Sequence, residues 1–268
     1  MSGDKRISMV HTLSTFITIL LIFSLISCQK DSEKSSVNEF DSAASDAKAI
    51  QIADEVLEAC GGKENWDNTR YLTWRWLGKR LNVWDKWTGE IRVASKISIV
   101  IMNLNTRKGS AWKTGSEITD PDELQRALDY GYEAWMNDSY WLFMPFKLKE
   151  PGVILKYIGE GEIEGRPVDI LSVTFKDVGK TPENKYHVYV DKESKLLVWW
   201  DYYMDAADEQ PRIKMPWKNY QKYGDIWLSD DRGLKKHTEL AVFEELPASV
   251  FESFERLDLA KLIEQKTL

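Results

Sequence analysis

The sequence predicts a mainly β protein with a few helices, its strands forming one strongly curved antiparallel sheet that the helices cover. Three observations carry this. From residue 71 onward, apolar and polar residues alternate in short runs separated by turn residues, which is the period of a half-buried strand. Only two long stretches, 46–60 and 121–139, repeat apolar residues at helical spacing. About ten strands in a flat sheet would leave an apolar face open to water, so the sheet must curve around the few helices available.

The elements follow in order. Ala49, Ile52, Ala53, Val56, Leu57 and Cys60 form the stripe of the first helix, with Ser45 or Asp46 placed to cap it and Gly61-Gly62 to end it. In 71–77, Leu72, Trp74 and Trp76 fall on one side and Tyr71, Thr73 and Arg75 on the other. Segments 82–87 and 90–94 flank a Thr88-Gly89 turn, and 96–104 and 108–114 make a second hairpin. Asp120-Pro121 opens the second helix, whose stripe is Leu124, Leu128, Tyr132, Trp135 and Met136. It leads into an apolar aromatic segment, 140–146, ended by Pro145. Strands are then expected at 153–157, 166–175, 186–191, 196–203, 214–220 and 233–243, and a short helix or irregular tail at 247–262.

Composition narrows the function. The 268 residues carry 36 Lys and Arg against 43 Asp and Glu, a net charge of −7. There is no basic block, which disfavours nucleic-acid binding, because phosphate contacts need clustered Lys and Arg. Twelve tryptophans, all after residue 65, suit a large aromatic core or an apolar cavity.

The N-terminus has the layout of a secretory signal: Lys5 and Arg6, then an apolar run centred on 16–26, then small residues. Leu25-Ile26-Ser27-Cys28 resembles the lipobox of bacterial lipoproteins. The resemblance implies cleavage before Cys28 and lipid on that cysteine, diacylglycerol and an acyl chain such as palmitate. Each buried methylene is worth about 0.8 kcal/mol, so two or three chains would anchor the protein nearly permanently. Residues 1–27 are then the signal peptide and 28–44 a Ser-, Asp-, Glu- and Lys-rich tether. Residues 45–268 form a single domain, and 28–268 carry a net charge of −8, since 1–27 contribute Asp4, Lys5 and Arg6. Gln29, where an Asp would favour the inner membrane, implies an outer-membrane lipoprotein facing the periplasm or the cell surface. With Cys28 lipidated, Cys60 has no partner in the chain and is expected to be buried.

Four segments resemble the LolA/LolB kind of envelope protein: Ala59 to Trp66; Tyr186-His187-Val188-Tyr189-Val190-Asp191 with the Lys195 to Trp199 that follows; Trp217 to Leu228; and Tyr140 to Leu148. The resemblance covers roughly residues 46–243. It implies a half-open β-barrel around a hydrophobic cavity, lidded by helices, that binds acyl chains or lipoprotein lipid moieties without being an enzyme. LolA carries no anchor, so an anchored acceptor or sensor fits this chain better than a shuttle.

Catalytic chemistry finds little support. His187 and His237 both fall in predicted strands, and no His/Cys spacing makes a metal site. No nucleophile elbow or phosphate loop occurs, and no cofactor is implied. Asp205 with Asp208 and Asp230 with Asp231 read as solvated turns, and Gly159, Gly161 and Gly165 as hairpin punctuation. The aromatics carry the functional signal. Trp74, Trp76, Trp112, Trp135, Trp141, Phe143 and Trp199 are the candidates to line an acyl-binding cup. The alternative is a surface lipoprotein whose exposed aromatics stack on carbohydrate.

Overall fold

Alternating runs become strands wherever one face can be buried, and fourteen of them form among the described residues. A computed structural model describes residues 40–176 and 181–266. The predicted signal peptide, Cys28 and tether residues 28–39 lie outside the described residues. Two helices come first, α1 (Ala47–Ala59) and α2 (Gly62–Asn68). Six strands follow: β1 (Tyr71–Trp76), β2 (Arg80–Asp85), β3 (Glu90–Ala94), β4 (Ser98–Asn103), β5 (Gly109–Lys113) and β6 (Ser116–Glu117). The long α3 (Pro121–Lys147) separates them from β7 (Val153–Ile163), β8 (Arg166–Phe175), β9 (Lys185–Asp191), β10 (Leu197–Tyr203), β11 (Ile213–Pro216), β12 (Lys218–Tyr223), β13 (Ile226–Asp231) and β14 (Thr238–Phe243). The short α4 (Ser249–Glu252) and α5 (Leu259–Lys266) close the chain.

The single sheet expected from the sequence is divided. Seven strands pair in the order β14-β1-β2-β3-β4-β5-β6, five in the order β11-β10-β9-β8-β7, and β12 pairs with β13. All ladders are antiparallel, and none joins the two larger sheets among the described residues, so no closed barrel forms. Register shifts at Thr73/Arg75, Tyr157/Gly159 and Leu197/Trp199 bend the strands locally. The strand expected at 214–220 breaks at Trp217. The Trp217 N–H still keeps the β10 register, donating to the Val198 carbonyl at 2.9 Å, and from Lys218 onward the chain leaves β10 and pairs with β13. The strand expected at 233–243 starts only at Thr238. The chain before it doubles back through β13 and a turn at Gly233, where φ is +78°.

The residues expected to cap α1 do something else. Asp46 makes no capping bond to the helix. Its carboxylate accepts from Lys156 Nζ and from the Tyr157 N–H, each at 3.0 Å, and Ser45 Oγ accepts from the Leu155 N–H at 3.1 Å. The cap position thus fastens α1 to β7. Gly61, at φ +117°, ends the helix as expected. The last residues of the expected tether turn at Ser42 and bring Phe40 against the core.

α3 runs past the position where the sequence breaks it. Asp120 Oδ1 accepts the Glu123 N–H at 2.9 Å, and Pro121 opens the first turn. Pro145 should interrupt such a helix, because it cannot bond back to the Trp141 carbonyl. Here Arg232 Nη2 donates to that carbonyl at 2.8 Å, and the helix continues to Lys147. Gly131 lets α3 approach the seven-stranded sheet. A Cβ there would stand 2.6 Å from Val100 Cγ1. The buried Asp138 completes the docking: its carboxylate takes Arg80 by two bonds, at 2.9 and 2.6 Å, and Asn82 Nδ2 at 3.1 Å.

The opposite face of the seven-stranded sheet is covered by the C-terminal segment. Leu81 and Val83 pack there with Val250 and Leu259. Fully buried Arg92 donates to the carbonyls of Val250, Ser253 and Glu255. Among the described residues no helix is long and apolar enough to cross a membrane.

Candidate functional site

Beyond Gly131, successive turns of α3 put Tyr132, Trp135, Met136 and Tyr140 on one face, with spacings of three, four and eight residues. The five-stranded sheet presents a matching row. Val173, Tyr186 and Tyr202 are in register across β8, β9 and β10, so their side chains share a face, and Phe175 follows two residues on. Between helix and sheet lies a cavity of about 500 Å³. Tyr132, Trp135, Tyr140, Trp141, Phe175, Tyr186 and Tyr202 supply its aromatic wall, and Glu133, Asn137, Lys147, Glu150, Thr181 and Asn184 its polar groups.

The wall is tightly constructed. Tyr140 meets Tyr186 at 5.3 Å and Phe175 at 5.7 Å between ring centroids. Tyr186 stacks on Trp200 at 5.0 Å, and Trp200 meets Trp141 edge-on at 4.7 Å. Trp141 is fixed twice, by its ring against Trp76 and Trp200 and by its carbonyl on Arg232. Arg232 is itself buried, its guanidinium 3.6 Å from the Trp217 ring centre, and burial pulls its pKa down to about 9.

The polar groups are few and mostly committed. Lys147 is buried and pairs with Glu150 at 3.0 Å. Buried Asn184 donates to Thr181 Oγ1 at 2.5 Å. Burial raises the Tyr140 and Tyr186 hydroxyls well above the ordinary tyrosine range, so both stay protonated at neutral pH.

The structure separates the seven aromatics singled out in the sequence. Trp135 and Trp141 stand in the cavity wall. Trp76 lies behind it, edge-on to Trp141 at 5.9 Å. Trp74 and Phe143 are fully buried and pack on each other at 5.0 Å, so they belong to the closed core. Trp112 borders a different cavity of about 510 Å³ near the start of α3, with Ile97, Val100 and Ala127. Trp199 sits on the opposite face of β10 from Trp200, its Nε1 donating to Asp201 Oδ1 at 3.0 Å. The sequence reading missed Tyr132, Tyr140, Phe175, Tyr186 and Tyr202. Alternation in β10 held a usable signal: Asp201 shares a face with Trp199, which leaves Trp200 and Tyr202 for the inner face.

The remaining chemical candidates occupy structural places. Asp205 and Asp208 are exposed and bond to nearby N–H groups in one loop. Asp230 accepts from Asn219, and Asp231 accepts from the Gly233 N–H and pairs with Lys236. His187 Nδ1 meets the Tyr203 hydroxyl at 3.0 Å. His237 is buried with neither ring nitrogen hydrogen-bonded. Cys60 is buried and unpaired, and burial pushes its thiol up to about 12. Among the described residues no three His, Cys, Asp or Glu side chains cluster as metal ligands.

No protein-family model matches the chain, and no curated protein matches it. Solved structures similar to it include the following three. A DUF1329 family protein from Desulfovibrio piger is 14% identical, with 76% of this chain and 97% of that chain covered and a TM-score of 0.41. A protein described as an outer membrane lipoprotein-sorting domain, from Vibrio parahaemolyticus, is 13% identical over 76% of this chain and 96% of its own, with a TM-score of 0.39. A LolA superfamily protein from Nitrosomonas europaea is 7% identical over 74% of this chain and 96% of its own, with a TM-score of 0.27. At these identities and scores the likenesses assign no residue and no ligand to this chain.

Proposed function

We propose that this chain is a non-enzymatic envelope lipoprotein that binds acyl chains, free or carried by a lipid or lipoprotein, between α3 and the five-stranded sheet. The two curved sheets with α3 between them would act as a half-open barrel and its lid. Lipid on Cys28 would hold the cup at the outer membrane. The observation that carries the proposal is the aromatic-walled cavity between α3 and the five-stranded sheet. Its volume of about 500 Å³ falls within the roughly 300–1,000 Å³ of small-molecule sites, and such sites are apolar with a few placed polar groups. Acyl chains fill such a space without demanding many polar partners.

Two measurements test this. Native mass spectrometry of the full chain extracted from membranes should show co-purifying acyl lipid, and Trp135→Ala with Tyr186→Ala should abolish it. Protein that is lipid-free and binds glycans instead, through exposed Trp87 or Trp227, would favour the carbohydrate reading. Cells fed an alkyne-tagged fatty acid should label the protein at Cys28, and Cys28→Ala should remove the label.

A further inference from the structure

The cavity of about 510 Å³ near the start of α3 has no part in the function proposed above. Glu123, Arg126, Ala127 and Tyr130 share one face of the helix by their spacing and form its upper wall. Below them, Ser98 and Val100 of β4 stand in register with Lys113 and Ala111 of β5, so the four side chains share a face of the sheet. Small side chains on both walls, Ala111 and Ala127, leave the groove its width. Its inner end lies at Val100, where Gly131 brings α3 down onto the sheet.

The groups in this groove can be reached from water. Ile97 is 59% exposed and Tyr130 47%, Arg126 is exposed, and Ile118 and Ala127 are half-buried. Single exposed apolar residues are ordinary, but several lining one groove mark a place where a ligand or partner sits.

Charge says which ligand. Lys113 and Glu123 hold each other across the groove at 3.4 Å. Arg126 has no hydrogen bond and no ion pair among the described residues. The nearby Asp129 is taken by Gln125 and Arg107, and Asp122, one turn earlier, is not part of the lining. The groove therefore combines an accessible apolar wall with one uncommitted guanidinium, whose planar fork fits a carboxylate. A neutral acyl ester makes no use of the guanidinium, and a short carboxylate makes no use of the wall. An anion with a long apolar tail uses both.

We propose that this groove is a second binding site, which takes a long-chain fatty-acid anion with its carboxylate on Arg126 and its chain against Ile97, Ile118, Ala127 and Tyr130. The site is separate from the cavity between α3 and the five-stranded sheet and does not depend on that cavity's ligand.

The experiment uses the full chain in lipid nanodiscs, irradiated with a diazirine-bearing palmitate at mildly alkaline pH, where the probe is an anion. Crosslinked residues are mapped by mass spectrometry, and a diazirine-bearing monoacylglycerol of the same chain length serves as the neutral comparison. Palmitate should crosslink within residues 95–130. Arg126→Gln should raise the concentration for half-maximal labelling there about fourfold, the worth of one ion pair at an exposed site. Arg126→Lys should restore most of it, and labelling by the monoacylglycerol should not change in either variant. Arg126 is exposed and unpartnered, so both variants should melt as the wild type does. Groove labelling that ignores Arg126→Gln, or that falls equally for the neutral probe, overturns the proposal. Palmitate crosslinks confined to the cavity between α3 and the five-stranded sheet overturn the second site and leave the proposed function standing. Crosslinks confined to the groove uphold the second site and count against the proposed function, and crosslinks in neither place overturn both.

Discussion

Around Phe143, α3 sinks into a sealed aromatic cluster against the seven-stranded sheet; around Tyr140, one turn away, it stands off the five-stranded sheet and leaves a cavity. The residue types are nearly the same. On the sealed side Trp74 meets Phe143 at 5.0 Å, Trp66 stacks on Phe146 at 4.3 Å, and Trp84 meets Phe143 at 6.1 Å. On the open side Tyr140, Tyr186, Tyr202 and Phe175 replace most of the indoles with phenyl and phenol rings. What separates the two sides is how closely the helix approaches. Gly131 and the Asp138–Arg80 pair hold α3 to one sheet, and the distance to the other sheet follows from that. An abundance of aromatics therefore marks a core as readily as a site, and only the position of the helix tells them apart.

The sharpest way to break this comparison is Trp74→Ala. Removing a fully buried indole should cost about 4 kcal/mol in chemical denaturation. Acyl binding per folded molecule should stay unchanged. A folded Trp74→Ala protein that no longer binds would show that the sealed side is part of the site after all.

Asp138→Ala comes next. The carboxylate is fully buried and its loss strands Arg80 and Asn82, so about 3 kcal/mol should be lost. Because this pair sets where α3 lies, affinity should fall along with stability, which denaturation and ligand titration on the same sample would reveal.

A smaller effect comes from pH, where the two sides meet. Burial, and then nearby Arg232, hold His237 well below its ordinary 6.5. The unfolded chain takes up this proton as pH drops through 6.5, and the folded chain resists it. Stability contributed by neutral His237 is thus fully present above pH 6.5 and is lost below it, by up to about 1.4 kcal/mol per pH unit. Comparing the pH dependence of melting with that of His237→Phe isolates this share, which should vanish in the variant.

The smallest stability change belongs to the open side. Half-buried Tyr202 should cost only about 1 kcal/mol when changed to Ala. Its effect on acyl affinity should exceed its effect on stability, the reverse of Trp74→Ala. Equal losses in both would erase the distinction between core and wall.

Much of this fold was legible from local pattern. The Thr88-Gly89 hairpin forms as read, with Gly89 at φ +81° and Asp85 Oδ1 accepting the Trp87 and Thr88 N–H groups. Asp120-Pro121 starts α3 and Gly61 ends α1 for the local reasons expected of them. The failures depend on distant partners. Pro145 stays inside a helix because Arg232, far along the chain, takes over the carbonyl it leaves free. β13 went unread because its buried residues are only Ile226, Leu228 and Ser229, ahead of two aspartates that resemble a loop. Trp199 and Trp200 are adjacent and equally apolar, and only the alternation with Asp201 marks Trp199 as the outer of the two. The cavity was the least legible feature, because an empty space is a property of how elements stand apart.

One pairing described above governs when this molecule can exist at all. β1 closes the seven-stranded sheet only against β14, and the Thr73 hydroxyl reaches the Glu239 carbonyl across 166 residues of chain. Ordering so long a loop is entropically expensive, and folds dominated by such contacts form slowly. β2 pairs with β1 across a short turn, but nearly the whole polypeptide must emerge before the other edge of β1 is covered. If the N-terminal segment acts as the secretory signal its layout suggests, that delay would keep the chain threadable during the crossing.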